Sequence, residues 1–177
     1  MTFEPFEHST IIVVDDNSAY LTICKKLLGK IYDVYTVLSA QKMFELMEKV
    51  NPDLILLDVL MPDINGYDAI KTLKQDDRYK DIPVIFLTGV NDVQNEIEGY
   101  ELGAADYILK PFNHSLLRRR INTHLTLTRN YRSIKQAEAC KKDVASRIRG
   151  LIDILDTGDI DGVRSGLDDL LGVVDGG

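Results

Sequence analysis

A run of four consecutive apolar residues that ends in a carboxylate is the feature that most constrains this fold. Leu54 to Leu57 include no polar residue, and Asp58 follows them directly. A run this short and this apolar is typical of a strand buried on both faces, as in a parallel sheet with helices on each side. The carboxyl end of such a strand is where open α/β sheets bind their ligands. From this stretch alone, Asp58 is a candidate metal ligand, a catalytic group or a helix cap.

Similar strand patterns recur along the chain and alternate with helical patterns. Asn17 or Ser18 is predicted to cap the helix after the first strand, and Ser39 the helix after the second. Strand and helix alternate five times with short connections, which predicts an α/β fold with a doubly wound, five-stranded parallel sheet. The predicted strands are Thr10 to Val14, Asp33 to Leu38, Leu54 to Asp58, Ile82 to Leu87 and Ala105 to Leu109.

Acidic, hydroxyl and amino side chains stand at the carboxyl ends of the first, third, fourth and fifth strands. Asp15 and Asp16 come after the first strand, Thr88 after the fourth and Lys110 after the fifth. Because the carboxyl ends of parallel strands share one edge of the sheet, we expect these side chains to meet Asp58 there. The predicted site therefore holds three carboxylates, one hydroxyl and one ammonium group.

These groups together indicate phosphoryl-transfer chemistry. Clustered carboxylates raise one another's pKa unless a cation joins them, and an oxygen-only ligand set suits Mg²⁺. Thr88 can donate a hydrogen bond to a phosphoryl oxygen, and Lys110 supplies a positive charge. Asp58 is then a carboxylate nucleophile that is already ionised at neutral pH and needs no general base. Since no residue is suited to activating water, we expect only slow hydrolysis.

Each of these residues also has an ordinary structural interpretation. Asp16 and Asp58 can cap helices, Thr88 can bond to the backbone, and Lys110 can be a solvated surface charge. An aromatic residue beside a strand end, such as Tyr107, is more often part of the core. What favours a functional site is that all of these residues occur together, in order and at this spacing.

The motifs closely resemble those of the receiver domain of bacterial two-component response regulators. The resemblance covers roughly residues 9 to 127 and implies a flavodoxin-like sheet with strand order 2-1-3-4-5. It is carried by Asp15-Asp16 after IIVV, Asp58 within LLDVLMPDINGYD, Thr88-Gly89 after VIFL, and Lys110-Pro111-Phe112 after DYIL.

The resemblance also implies a role for each matched residue. Asp58 is expected to accept a phosphoryl group from the phosphohistidine of a sensor histidine kinase or phosphotransfer protein. The peptide bond between Lys110 and Pro111 is expected to be cis. Asp16 and Asp58 are expected to bind Mg²⁺ directly, Leu60 through its backbone carbonyl and Asp15 through water. Thr88 and Tyr107 are expected to form a switch pair, in which the hydroxyl moves toward the phosphoryl group and the Tyr107 ring turns inward.

The same resemblance bears on how long the phosphorylated form persists. In the family, the positions two residues beyond the acceptor Asp and two beyond the switch Thr flank the approach of water. Here they are Leu60 and Val90, which are apolar and cannot orient a water molecule by hydrogen bonding. We therefore expect a long-lived phosphorylated form.

Beyond the resemblance, the chain is predicted to continue as one long helix. We divide it into a loose lead-in (1–9), a receiver domain (10–127), a helical stalk that can form a coiled coil (128–155) and a short acidic helical tail (156–177). Asn130 at a seam position favours a parallel, in-register homodimer. The alternative is an amphipathic helix that packs back on its own domain. The predicted seam consists of Leu127, Ile134, Ala137, Val144, Ile148, Leu151 and Leu155, interrupted by Asn130 and Lys141.

Charge and composition narrow the range of partners and locations. The net charge of −7 argues against general nucleic-acid or anionic-membrane binding, and no apolar run approaches membrane-spanning length. Cys24 and Cys140 form no CxxC motif, which is typical of a reduced, cytoplasmic protein. The long helix is basic, but it carries no aromatic interleaving or helix-turn-helix pattern, so a solvated face is the better interpretation.

Three functions fit the sequence. The first is a phosphorylation-controlled signalling domain, not an enzyme, whose output is a dimer contact or a helix relay. The second is the regulatory front of a longer signalling enzyme, such as a cyclase, phosphodiesterase or phosphatase. The third is a Mg²⁺-dependent phosphatase, but such enzymes usually need a second Asp two residues after the nucleophile, where this chain has Leu60.

Overall fold

Five strands alternate with five helices in the part of the chain that the structure describes. This part, in a computed structural model, comprises residues 8–62, 64–89, 96–156, 162–163 and 166–167. In chain order the elements are β1 (Thr10–Val14), α1 (Ser18–Leu28), β2 (Asp33–Val37), α2 (Ala40–Met47), β3 (Leu54–Asp58), α3 (Gly66–Gln75), β4 (Val84–Thr88), α4 (Glu96–Glu101), β5 (Asp106–Leu109) and α5 (His114–Asp156).

The strands form one parallel sheet in the order β2-β1-β3-β4-β5. This confirms the predicted fold class and strand order. Register brings the functional strand ends to one edge: Val14 lies beside Leu57, and Asp58 lies beside Leu87. Thr88 in turn pairs with Leu109, the residue before Lys110.

The central strand β3 is buried on both faces, as its sequence predicts. Ile55 and Leu57 pack into one core layer, which also holds side chains from α2 and α3. Leu54 and Leu56 pack into the other, which holds side chains from α1 and α5. Fully burying each of these side chains contributes about 1.5–3 kcal/mol of hydrophobic free energy, so β3 anchors both layers.

Asparagine and serine side chains cap the helices that follow the first three strands. Asn17 accepts a hydrogen bond from the Ala19 amide, Ser39 from the Lys42 amide and Asn65 from the Asp68 amide. Asn17 stands directly after Asp15 and Asp16, and Asn65 lies in the loop after β3. The helix caps are thus supplied by residues other than Asp16 and Asp58.

Three predicted strands differ from the structure at an end: the strand predicted to end at Leu38 ends at Val37, and the strand predicted to end at Leu87 ends at Thr88. The strand predicted from Ile82 begins at Val84, and the strand predicted from Ala105 begins at Asp106. The start of the helix predicted from about Asp92 lies outside the described residues, and the helix ends before Gly103, whose φ of +92° suits glycine.

The chain divides into two compact units, Met1–Thr128 and Arg129–Gly177. In the second unit, the predicted seam is wrong at Leu151, which is only 8% exposed. A Cβ added to Gly166 would lie 2.4 Å from Leu151 Cδ2, so the chain's own C-terminal segment covers this side chain. Cys24 and Cys140 are free thiols. No helix among the described residues combines the length and hydropathy needed to cross a membrane.

Candidate functional site

A buried ammonium group joins the ends of three strands. Lys110 follows β5, and its Nζ lies 2.6 Å from Asp15 Oδ2 and 3.0 Å from Asp58 Oδ1. All three side chains are almost entirely buried. The structure therefore brings together Asp15, Asp58 and Lys110 as the sequence predicts, although a direct Lys110–Asp15 ion pair was not foreseen.

The backbone around Lys110 holds its side chain in place. Its amide donates a 2.7 Å hydrogen bond to the Thr88 carbonyl oxygen, which continues the β4–β5 pairing by one residue. The peptide bond to Pro111 is cis, as the resemblance implied. On the other side, the ammonium lies 4.7 Å from the centroid of the Tyr20 ring. A cation–π contact at this distance favours the charged form and limits the positions that Nζ can take.

The three acidic residues form a cluster that suits a hard divalent cation. One carboxylate oxygen each from Asp15, Asp16 and Asp58 lies within 4.8 Å of the others. Asp15 and Asp58 are buried and Asp16 is exposed, so the cluster opens to solvent on one side. Oxygen-only ligands with room for water match the preference of Mg²⁺. The Asp15 carboxylate also accepts a 2.9 Å hydrogen bond from the Asn17 amide, which fixes its orientation.

Burial and charge compete at Asp58. Desolvation raises the pKa of the Asp58 carboxyl, and its contact with Lys110 only partly offsets this. Burial also opposes the charge on Lys110, but hydrogen bonds to Asp15 and Asp58 outweigh it, so the pKa of Lys110 is raised. Without another cation, the site therefore holds its negative charge at a cost that a bound metal ion would relieve.

Thr88 ends β4, and Tyr107 lies on the neighbouring strand β5. Thr88 is buried, and its hydroxyl donates a 3.1 Å hydrogen bond to the Gly89 carbonyl oxygen. The Tyr107 ring is 9% exposed and points inward, with its centroid 5.2 Å from that of Phe86 and 4.9 Å from that of Tyr100. The structure thus has Tyr107 packed among aromatic side chains.

Two residues, Leu60 and Val90, are expected to flank the approach of water to Asp58. The Leu60 side chain is 63% exposed, so it lies out in solvent and does not cover Asp58. Val90 lies outside the described residues. The approach to Asp58 on the Leu60 side is therefore not closed by this leucine.

A second charged cluster, absent from the sequence-based predictions, links β5 to α5. Arg120 Nη1 lies 2.6 Å from Asp106 Oδ2, and His124 Nε2 lies 3.0 Å from the same oxygen. Asp106 also accepts a hydrogen bond from the Tyr107 amide. Burial alone would raise the pKa of Asp106, but the hydrogen bonds from His124, Tyr107 and Arg120 lower it. The available signal was an acidic residue within the apolar strand β5 and two basic residues four apart on α5.

Comparison with known proteins agrees with this arrangement. The family model described as the response regulator receiver domain matches residues 11–122. The chain is 37% identical over 125 residues to a probable cyclic di-GMP phosphodiesterase of Vibrio cholerae, covering 71% of this chain and 28% of that protein. It is 34% identical over 121 residues to the DNA-binding dual master transcriptional regulator RpaA of Synechocystis, covering 67% of this chain and 49% of that protein.

Solved structures show the same fold. The receiver domain of the Francisella response regulator 1452 is 27% identical and superposes with a TM-score of 0.62, covering 68% of this chain and 98% of that one. The chain spans about half the length, or less, of the curated relatives it matches. The match over residues 11–122 takes in every residue of the acidic cluster and Lys110, and the chain belongs to the family of response regulator receiver domains.

Proposed function

We propose that this protein is a phosphoacceptor whose Asp58 takes a phosphoryl group from the phosphohistidine of a sensor histidine kinase or phosphotransfer protein. A carboxylate oxygen of Asp58 attacks phosphorus, the phosphorus–nitrogen bond breaks, and the imidazole nitrogen keeps the bonding electrons and takes a proton. The product is an aspartyl phosphate. The observation that carries this proposal is the ammonium of Lys110, 3.0 Å from Asp58 and buried beside it.

Lys110 and Thr88 act on the phosphoryl group in this proposal. Lys110 already contacts the Asp58 carboxylate before transfer, and it is close enough to Asp58 to contact a phosphoryl oxygen attached there. The Thr88 hydroxyl exchanges its hydrogen bond to the Gly89 carbonyl for one to another phosphoryl oxygen. Tyr107 completes the switch pair with its ring in the inward position.

The same site is proposed to hold Mg²⁺. Asp16 and Asp58 bind it directly, Asp15 through a water molecule and Leu60 through its backbone carbonyl. When bound, the ion supplies positive charge to the phosphoryl oxygens and to the clustered carboxylates. The carboxylate oxygens within 4.8 Å of one another and the exposure of Asp16 support this assignment.

The output of the proposed switch is the long helix α5. Residues 10–127 form the receiver domain, residues 128–155 a helical stalk and residues 156–177 an acidic tail. We expect the stalk to form a homodimer whose affinity depends on phosphorylation. Exposed apolar side chains on this part of α5, among them Ile134 and Ile148, support a contact with another chain.

A second candidate is the regulatory part of a longer signalling enzyme. The chain covers only 28% of the phosphodiesterase relative and about half of the transcriptional regulators, so these relatives carry further segments. The length of the complete gene separates the two candidates. A Mg²⁺-dependent phosphatase is less well supported, because the second position after Asp58 is the apolar Leu60.

Intact-mass measurement after incubation with acetyl phosphate and Mg²⁺ tests the phosphoacceptor role. We expect one added phosphoryl group on the parent protein and none on Asp58→Asn. Asp33→Asn is the matched control, since Asp33 begins β2 at the opposite edge of the sheet and is exposed. Equal labelling of Asp58→Asn and the parent would contradict the assignment.

A further inference from the structure

An exposed apolar stripe runs along the second unit's part of α5. Tyr131, Ile134, Ile148, Ile152 and Leu155 are each between 45% and 59% exposed. They follow one another at intervals of three and four residues, with Glu138, Lys141 and Ala145 filling the positions between. Side chains at this spacing lie on one face of a helix and form the seam of a two-stranded coiled coil.

The stripe is distinct from the face that the chain covers itself. Leu151, one position before Ile152, is buried against the segment that contains Gly166. Gly166 therefore lies against the neighbouring face of α5, whereas the five side chains of the stripe are exposed. Five large apolar side chains on one face of a helix are more than isolated surface residues, and exposed apolar patches mark interaction sites.

We infer that the stripe binds a second copy of this chain in the antiparallel orientation, with Glu138 opposite Lys141 of the partner subunit. This inference rests on the proposed stalk dimer and adds its direction and register. Glu138 and Lys141 are the only two charged positions of the stripe. By symmetry this register forms two pairs of opposite charge, one from each chain's Glu138 to the other chain's Lys141. The flanking layers place Ile134 opposite Ala145 of the partner subunit and Tyr131 opposite Ile148 of the partner subunit.

Charge at the centre of the seam decides against the parallel arrangement. In a parallel, in-register pair, Glu138 meets its own copy and Lys141 meets its own copy, so like charges are buried together. The antiparallel register replaces both contacts with opposite charges. Its disadvantage lies at the rim, where Lys135 approaches Lys142 of the partner subunit. Both lysines are exposed, and interactions between exposed charges are weak compared with those between buried charges.

Disulfide trapping in the full-length chain tests this orientation. Tyr131→Cys and Ile148→Cys are each made in a Cys140→Ser background, which removes the exposed native thiol. Tyr131 and its own copy would be about 26 Å apart along the antiparallel pair, at about 1.5 Å per residue, which is too far for a disulfide. We expect neither variant to cross-link alone and a mixture of the two to give a covalent dimer containing one chain of each kind.

A second pair of variants and a matched control guard against a local effect of either cysteine. Ile134→Cys with Ala145→Cys should behave in the same way. Gln136→Cys lies on the exposed side of α5 away from the stripe and should give only the background level of collisional cross-linking. Preferential self-cross-linking of Tyr131→Cys would establish a parallel pair and overturn the inference.

Sedimentation of the parent separates the possible failures. A monomer at high concentration, with and without phosphorylation, would overturn both the stalk dimer and its orientation. A dimer that self-cross-links at Tyr131 would overturn the orientation alone. Neither result bears on labelling of Asp58, which the mass measurement tests separately.

Discussion

Gly99 leaves the space that the Tyr107 hydroxyl occupies. A Cβ added to Gly99 on α4 would lie 1.4 Å from that hydroxyl oxygen and 2.7 Å from Tyr107 Cζ. No side chain other than hydrogen fits at position 99 while the ring stays in its inward position. The absence of a side chain on α4 is therefore a condition for the conformation of the proposed switch residue on β5.

Gly99→Ala should consequently drive the Tyr107 ring out of its inward position. Overpacking that a core can absorb costs roughly 1–3 kcal/mol, but an approach of 1.4 Å cannot be absorbed with the ring in place, so rotation of the ring toward solvent is favoured. We expect NMR spectra of Tyr107 to change from those of a packed ring to those of an exposed one. Asp58 should still be labelled, whereas the response of the stalk to phosphorylation should be lost.

Gly150→Ala is the control for this experiment, because nothing lies within 4 Å of a Cβ added there. Within α5 the change should stabilise the helix by about 0.5–1 kcal/mol. An unchanged, packed Tyr107 ring in Gly99→Ala would show that α4 moves instead, and would contradict the steric argument.

Mg²⁺ binding should depend on Asp16. Neutralising one of the two proposed direct anionic ligands in Asp16→Asn should weaken Mg²⁺ affinity by roughly tenfold or more, measured by calorimetric titration. Asp33→Asn carries the same change of charge at the far edge of the sheet and should bind Mg²⁺ like the parent. Equal affinity in the parent and both variants would remove Asp16 from the metal site.

Apart from the strand order, which the family resemblance implied, the sequence predicted the sheet and the convergence of Asp15, Asp58 and Lys110. These follow from short-range patterns, since apolar runs ending in polar residues specify both the strands and the edge where the ends meet. The Asp106 cluster was missed because its partners lie one element away on α5, and neither Arg120 nor His124 is unusual on a helix. Such a contact depends on how α5 packs against β5, which no local pattern records.

The stalk shows a different limit. The spacing of three and four residues fits two alternative seams equally well, one that contains Asn130 and Leu151 and one that contains Tyr131 and Ile152. Only burial of Leu151 by the C-terminal segment separates the two readings. The seam thus became identifiable once a contact between residues distant in sequence was known, and the charged pair at its centre then indicated a direction.

Asp106→Asn should destabilise the receiver domain at neutral pH. The carboxylate binds Arg120, His124 and the Tyr107 amide, and hydrogen bonds to a charged group contribute roughly 1–3 kcal/mol. Because the pKa of Asp106 is lowered in the folded protein from 3.8, its contribution is fully present above that value and is lost as pH falls through the folded pKa.

Urea unfolding at several pH values measures this contribution directly. The difference in unfolding free energy between the parent and Asp106→Asn should be present at pH 7 and should shrink as the pH falls below about 4. Asp77→Asn is the control, since the Asp77 side chain is 89% exposed and a surface ion pair contributes about 0–1 kcal/mol. A difference that persists unchanged at the lowest pH would show that packing, and not the charge, is responsible.

Leu60 should lengthen the lifetime of the phosphorylated protein, because its apolar side chain cannot position water for hydrolysis. Hydrolysis needs a water molecule in line with the bond between Asp58 and phosphorus, and an apolar side chain cannot orient one. Because Leu60 is 63% exposed, it does not shield the site, so the slow decay that we expect rests on the inability of Leu60 to orient water. Leu60→Asn supplies a polar group and should accelerate decay roughly tenfold, and the double variant with Val90→Glu should decay faster still.

The control is Leu38→Asn, because Leu38 is an exposed leucine after β2. Decay that is equal or slower in Leu60→Asn, followed by intact mass over time, would show that this position does not govern the water.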